Sequence, residues 1–326
     1  MTKLTLKPLL KPIETEMRQF AVEFESALRS DVNLIEQMAR YLIGQHSKRI
    51  RPALLLLSAK LCGEPNRISG ISASIVEILH TATLVHDDIV DDSSTRRGEP
   101  TVNAIWNNKV SVLFGDYLFS KSLRNMLSLR NFEALELLSE TSELLSSGEI
   151  YQIEKSLTNG MDEASYYRMI WAKTACLFAT SCKIGAISVN ATDEQAAHLF
   201  EYGKNLGMAF QIKDDLFDFS GEERRIGKPV DRDIKANLIT LPLIYTLKNL
   251  PEPERTVLRK NLRENPSGDE IRNVRAIVRQ NGGLKFTQEK MHEYSASARA
   301  ALDIFPESDV KGSLIGMVEF NERRKN

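Results

Sequence analysis

Between Arg67 and Asp92 the chain carries no proline and a single glycine, Gly70, close to the start. Apolar residues in this stretch recur every three or four positions instead of alternating, which is the period of a helix and not of a strand. The same texture runs through most of the chain, where glycine is scarce at 17 of 326 residues. The sequence therefore predicts an all-α fold with no sheet of any size. One helix is expected from Glu14 to Ile43, stopping at Gly44, and a second from near Pro52, a residue suited to a first helical turn. Arg67 to about Asp92 reads as one unusually long helix, and further helices fit Lys109 to Arg130, Phe132 to Leu157, Asp162 to Val189, and Asp193 to about Phe219.

The texture then changes. "SGEERRIGKPVDRDIKAN", residues 220–237, is charged, holds two glycines and a proline, and has no helical stripe, so it reads as a loop whose length points to function. Shorter helices follow, separated by "LPEPE" (250–254) and "NPSGD" (265–269), and the chain closes on the basic "ERRKN". Helix follows helix without a linker-like break, repeat or low-complexity segment, which predicts a single all-helical domain over residues 1–326.

Lysine plus arginine, 43, nearly cancels aspartate plus glutamate, 44, so there is no overall field to attract nucleic acid or an anionic membrane. Any charge-based function must be local. Cys62, Cys176 and Cys182 are widely spaced among apolar residues and read as reduced core thiols of a cytoplasmic protein, not as a disulfide or zinc site. The opening "MTKLTLKPLLKPIETEM" is interrupted by Pro8 and Pro12 and does not read as a signal peptide. No uninterrupted apolar run reaches the roughly 18 residues of a transmembrane segment, so none is expected.

Local charge is concentrated in "LVHDDIVDDSSTRRG", residues 84–98. On a helix Asp87 and Asp91 share a face, with carboxylates about 6 Å apart along the axis, and Asp88 and Asp92 form a second pair about 100° around. Like charges at this spacing cost about 0.2–0.5 kcal/mol per pair, and the helix dipole disfavours anions at this end. A solvated acidic helix end is the plain alternative. Against it stands recurrence: "QIKDDLFDF", residues 211–219, repeats the DDxxD spacing at Asp214, Asp215 and Asp218, again ending a helical stretch. Paired carboxylates with no histidine or thiolate cluster suit a hard ion such as Mg²⁺, which keeps waters and shares phosphate oxygens. The D-x-D-x-D-G order of an EF-hand is absent.

Basic residues lie near these motifs. "HSKRIRP" (46–52) carries Lys48, Arg49 and Arg51 before a helix; Arg96 and Arg97 follow the first aspartates; Lys228 lies in the loop after the second. Lys173, followed by Thr174, interrupts an apolar run and is either a snorkelling stem or a phosphate contact. His80 lies two turns before Asp87 on its face, and Gln211 three residues before Asp214; each is a structural residue or a site residue. Cations beside metal-binding carboxylates point to a polyphosphate ligand.

With these residues in view, the chain resembles the trans-isoprenyl (polyprenyl) diphosphate synthases of medium- and long-chain type. "HSKRIRP" is similar to the family's GGKRxRP, and "HDDIVDDSSTRRG", "LFGDYLFS", "KTACLF", "FQIKDDLFD" and "GKPVDRD…TLP" follow in register over nearly the whole chain. The resemblance implies a helical bundle around a central cavity, with the two aspartate motifs facing each other across it. It further implies a homodimer and a Mg²⁺-dependent head-to-tail condensation of isopentenyl diphosphate with an allylic diphosphate, with several Mg²⁺ ions per site. Carried over by motif, Lys48, Arg51, His80 and Arg97 correspond to the isopentenyl diphosphate site, and Asp87, Asp91 and Asp214 to the Mg²⁺ ligands. Arg96, Lys173, Thr174, Gln211 and Lys228 correspond to contacts with the allylic diphosphate, and Asp88, Asp215 and Asp218 complete the acidic motifs. A transient membrane contact for product release is compatible with this assignment.

Three positions depart from the family pattern: Ser47 for the second glycine of GGK, Asp231 for the glycine of GKPxG, and Leu238 where many members have lysine. Ala82 and Thr83 are small where farnesyl-type members carry aromatic rings, which predicts an open tunnel and a product longer than farnesyl, with Leu123 and Met126 as a deeper floor. The alternatives are a short-chain synthase of geranylgeranyl or farnesyl type and a non-catalytic subunit of a heteromeric synthase. A terpene cyclase, which usually has an asparagine/serine/glutamate second motif, is disfavoured by "DDLFD".

Overall fold

The computed structural model describes residues 5–45, 47–158, 160–220, 239–262 and 266–324. The chain begins with the short α1 (Leu6–Leu9) and a 3-10 turn (Lys11–Ile13), followed by α2 (Glu14–Leu28), α3 (Asn33–Gly44), α4 (Ile50–Cys62) and the long α5 (Arg67–Val90). A minute antiparallel hairpin, β1 (Thr95–Arg96) and β2 (Glu99–Pro100), leads into α6 (Val102–Ser128) and α7 (Phe132–Thr158). Then come α8 (Glu163–Ile170), a π-helical turn (Trp171–Ala175), α9 (Cys176–Ile187) and α10 (Asp193–Ser220). The C-terminal part is α11 (Leu241–Asn249), α12 (Glu252–Asn261), α13 (Gly268–Gln280), α14 (Gly283–Ala300) and α15 (Asp309–Arg323). The all-α expectation holds.

α5 is the central element. Its start is fixed by a capping box in which the Asn66 side chain accepts from the backbone N–H of Ile68 and Ser69 while Ser69 Oγ accepts from Asn66 N. The Asn66 amide also donates to the Ser188 carbonyl at 3.0 Å, tying this start to the end of α9. Ile75, Val76, Ile78, Leu79, Ala82 and Val85 are all buried, so α5 is apolar nearly all round, as a helix enclosed by others must be. It packs on α2, α4, α6 and α9, and α9 in turn packs on α4 and α10. Among the described residues α5 alone is long and apolar enough to cross a bilayer, yet 72% of that window is inside the protein, the burial of a core helix. Smaller apolar clusters form around Tyr166, Met169 and Ile212, and beneath the C-terminal helices around Phe219, Leu243 and Val274.

Two expectations of helix extent are corrected. The stretch from Glu14 to Ile43 is two helices, because Arg29 leaves the helix at ψ 141° and the Ser30 hydroxyl accepts from the Val32 N–H at 3.2 Å. Short polar side chains offer the backbone a turn in place of a helical bond. The helix expected from Lys109 is preceded by an extra turn from Val102; the two join at a kink where Asn107 adopts φ 68° and its side chain accepts from Val110 N. The segment expected to be a loop, 220–237, lies outside the described residues apart from Ser220, which closes α10.

α4 and α9 approach closely at Gly185, where a Cβ would run into the Leu55 carbonyl oxygen and the Ser58 side chain. Gly185→Ala should therefore destabilise the fold by about 1–3 kcal/mol, the usual cost of overpacking, and denaturant unfolding measures it.

Candidate active site

The first acidic motif occupies the C-terminus of α5, and the backbone there explains its shape. Asp92 takes a left-handed conformation at φ 47°, Ser93 N bonds the Asp88 carbonyl at 2.8 Å and Asp92 N bonds the Ile89 carbonyl at 3.2 Å. This pattern ends the helix as glycine usually does, with aspartate tolerating the left-handed region. Asp91 caps the helix one turn beyond Asp87, so that pair keeps its common face. The expected second pair does not form, because Asp92 has already left the helix.

Beyond it, Arg97 at φ 55° and Gly98 at φ 86° form a two-residue hairpin turn of the type whose twist suits antiparallel strands. The hairpin folds Arg96 back onto Asp88, a buried carboxylate, with Nε and Nη2 each 2.8 Å from Oδ1. Asp87 is half-buried; burial pushes its carboxyl up to about 7, with Glu149 adding to the shift and Lys173 and Arg96 opposing it. Glu149 belongs to α7 and Lys173 to the π turn, so both elements face the first motif.

Lys173 and Thr174 sit within the π turn, a local widening common at functional sites. Lys173 Nζ contacts Glu149 Oε2 at 2.5 Å and donates to Gln152 Oε1 at 2.7 Å. The turn fits closely against α7 because position 148 is glycine: a Cβ there would meet Ala172. Thr174 donates to Gln211 Oε1 at 2.7 Å, Gln211 Nε2 donates to Asp215 Oδ1 at 2.9 Å, and the buried Tyr166 hydroxyl donates to Asp215 Oδ2 at 2.6 Å.

The second motif thus divides its work. Asp215 is buried and hydrogen-bonded within the bundle, whereas Asp214 is 42% exposed and turns toward Arg324. Arg324 lies just past α15, and its side chain is only 5% exposed. It donates from Nη1 to Asp214 at 2.6 Å and from Nη2 to the Phe210 carbonyl at 2.7 Å, with its guanidinium 4.0 Å from the Phe210 ring centroid. The Asp218 side chain, Lys228, Asp231 and Leu238 lie outside the described residues.

The basic wall comes from the start of α4 and from the hairpin. Arg51 stacks on Phe178 and its Nη1 lies 2.8 Å from His80 Nε2. A guanidinium only donates, so Nε2 is the acceptor and the histidine proton sits on Nδ1. Burial first, and then Arg51 and Arg97, hold the imidazole well below its ordinary range, so His80 is neutral. The Nε of Arg51 is buried and has no hydrogen-bond partner among the described residues, an orphaned donor that suits an anionic ligand. The charge of Asp214 is felt by both Arg51 and Arg97. Lys48 is exposed, with Nζ 5.7 Å from the Phe320 ring centroid.

Thr83, one turn before Asp87, is half-buried, and its hydroxyl donates to the His80 carbonyl. Ala82 is buried in the main core, as is Met126, while Leu123 is half-buried.

A family model described as Polyprenyl synthetase matches residues 32–279. The chain belongs to the polyprenyl synthetase family. It is a prenyltransferase of the polyprenyl diphosphate synthase type. It is 33% identical over 297 residues to octaprenyl diphosphate synthase of Escherichia coli, covering 91% of this chain and 92% of that protein. It is 32% identical over 304 residues to heptaprenyl diphosphate synthase component 2 of Bacillus subtilis, covering 93% and 86%. The solved polyprenyl synthase of Caulobacter crescentus, a complex with calcium and isoprenyl diphosphate, superposes with a TM-score of 0.93 at 32% identity, covering 100% of both chains.

Glu77, Glu149, Gln152, Tyr166 and Arg324 pair with these candidate residues without having been singled out from the sequence, whereas Arg49 stood out there as one of the basic residues before α4. The basic C-terminus was visible, but nothing in it pointed to Asp214, and Tyr166 carries no signal apart from its partner. Asp87 provides a pH test. Its raised carboxyl disfavours the ionised form in the fold, so its stabilising effect is complete below the unfolded value near 4 and lost as pH rises through about 7. In chelated buffer, the melting temperature of the wild type should fall relative to that of Asp87→Asn between pH 5 and pH 8, read by calorimetry.

Proposed function

We propose that this synthetase condenses isopentenyl diphosphate with an allylic diphosphate to give a trans-prenyl chain longer than farnesyl, as one helical domain, at the space between the two acidic helix ends. The observation that carries the reading is the buried Arg51 Nε with no hydrogen-bond partner among the described residues, beside His80 on the helix that ends in Asp87 and Asp91. In this reading Lys48, Arg51, His80 and Arg97 hold the isopentenyl diphosphate, and Arg96, Lys173, Thr174 and Gln211 surround the allylic diphosphate, to which Lys228 is assigned by its sequence motif alone.

Mg²⁺ fits the donor set. Asp87, Asp91 and Asp214 offer hard oxygens, and the reluctance of Asp87 to ionise is what a nearby divalent cation would reverse. Among the described residues no group of three His, Cys, Asp or Glu side chains is assembled; Asp87, Asp91 and Asp214 would hold the ion together with waters and diphosphate oxygens. The bound ion supplies positive charge to the departing diphosphate. Lys173 and Arg96 add fixed cations at the same place, and the apolar bundle keeps water from the allylic cation until the isopentenyl double bond attacks it and a proton is lost. Neutralising Asp87 and Asp214 together should lower kcat/KM by at least about a thousandfold in an assay of radiolabelled isopentenyl diphosphate with Mg²⁺.

Chain length is supported by the octaprenyl and heptaprenyl names of the relatives and by the small side chains before Asp87. Thr83 lies within about 40° of Asp87 around α5, whereas Ala82 lies about 140° away in the core. Thr83→Phe should shorten the product seen by mass spectrometry. Ala82→Phe should shorten it too, and should also lower the melting temperature through overpacking.

A homodimer is supported by large apolar side chains exposed on α6 and α7, with Leu113 61% exposed, Ile150 67% and Phe132 82%. A second copy is proposed to cover them. Leu113→Arg with Ile150→Arg should convert a dimer to monomer in light scattering. The "component 2" in the Bacillus subtilis relative's name favours a second reading, a heteromeric enzyme; assaying the purified chain alone separates the two, turnover excluding the heteromer and its absence supporting it. The free thiols, Cys176 and Cys182 pushed up to about 12 by burial, support a cytoplasmic setting.

A further inference from the structure

Beneath the basic wall lies a carboxylate that no diphosphate-binding role explains. Glu77 is only 3% exposed, on α5, one turn before His80. Arg49 Nη1 donates to its Oε1 at 2.6 Å, and the Arg49 guanidinium lies 4.5 Å from the ring centroid of the buried Phe24. Glu77 is also a counter-charge for two further guanidiniums: burial pushes Arg51 down to about 10 and lowers Arg97, and Glu77 opposes both shifts. A buried negative charge next to an anion site weakens anion binding by simple Coulomb repulsion. Its presence there needs a compensating role.

The backbone supplies one. Arg49 is the N-terminal flanking residue of α4 and adopts φ 48°, ψ 42°, a left-handed conformation unfavourable for a long side chain. Residues hold such a conformation only when their surroundings over-determine it. Here the surroundings are the ion pair with Glu77, the stacking on Phe24, and the Ser47 hydroxyl, which accepts from Arg49 N at 3.4 Å. On either side of that bend stand Lys48 and Arg51.

We propose that Glu77 and Arg49 are positioning residues for isopentenyl diphosphate: their ion pair pins the 47–51 turn in its left-handed bend and so sets the spacing of Lys48, Arg51 and His80. The inference rests on the proposed function and adds a specific substrate side to it, because the pair braces the turn before α4 and not the Lys173–Gln211 side. Charge alone predicts the opposite sign, since removing a carboxylate would tighten binding of an anion.

The test compares Glu77→Gln, Arg49→Gln and the double variant, all as full-length enzyme, with both substrates varied in turn. The expected result is a KM for isopentenyl diphosphate raised about tenfold, with kcat and the KM for the allylic diphosphate changed less than about twofold, the pattern of lost ground-state binding at one site. The double variant should be no worse than the worse single, as for residues acting as one unit. Glu77→Asp, which keeps the charge but shortens the reach to Arg49, carries the same test if Glu77→Gln fails to fold, because charge alone then predicts no change. An unchanged or lower KM for isopentenyl diphosphate, equal losses for both substrates, or multiplicative effects in the double variant would overturn the proposal. A wild-type enzyme that consumes no isopentenyl diphosphate would instead overturn the underlying function.

Discussion

The contact between Asp88 and Arg96 sets the geometry around the first acidic helix end. Asp88 is buried in the last turn of α5, and a buried carboxylate without a partner would be costly. Arg96 reaches it because the chain leaves the helix through the left-handed Asp92 and turns back into the first strand of the short hairpin. That reversal leaves Asp87 and Asp91 on the open face of the helix end and places Arg97 where it shares a field with Asp214. One of four neighbouring aspartates is spent on folding so that others remain available for ligands.

A parallel division occurs in the second motif. Asp215 accepts from Gln211 and Tyr166 and is locked into the bundle, while Asp214 stays at the rim beside Arg324. Adjacent carboxylates on a helix point about 100° apart, so two successive aspartates cannot both face a cavity. The DD pairs therefore divide alike, the first residue of each left open (Asp87, Asp214) and the second anchored in the bundle (Asp88, Asp215).

Much of this was legible in the sequence because it depends on period and spacing. The length of α5, the ends of α7 and α10, and the two DDxxD motifs followed from residues a few positions apart. What was hidden depends on distant partners or on small backbone departures. The break at Arg29–Val32 is made by serine and glutamate hydrogen bonds that compete with helix by tenths of a kcal/mol, below what composition resolves. Arg324 meets Asp214 across 110 residues of chain, and Glu77 looked like an ordinary polar position on a long helix until Arg49 was found folded onto it.

The π turn at Trp171–Ala175 has a consequence for helical phase. In an unbroken α-helix Tyr166 and Thr174 would point about 80° apart. One inserted residue retards the rotation by about 100°, which brings the two side chains within about 20° of one azimuth. Both can then address α10, Thr174 at Gln211 and Tyr166 at Asp215, one turn apart on that helix. The widened turn works as a vernier between two helices, and a single-residue deletion there would put the segment bearing Tyr166 out of step with α10 without removing any polar group.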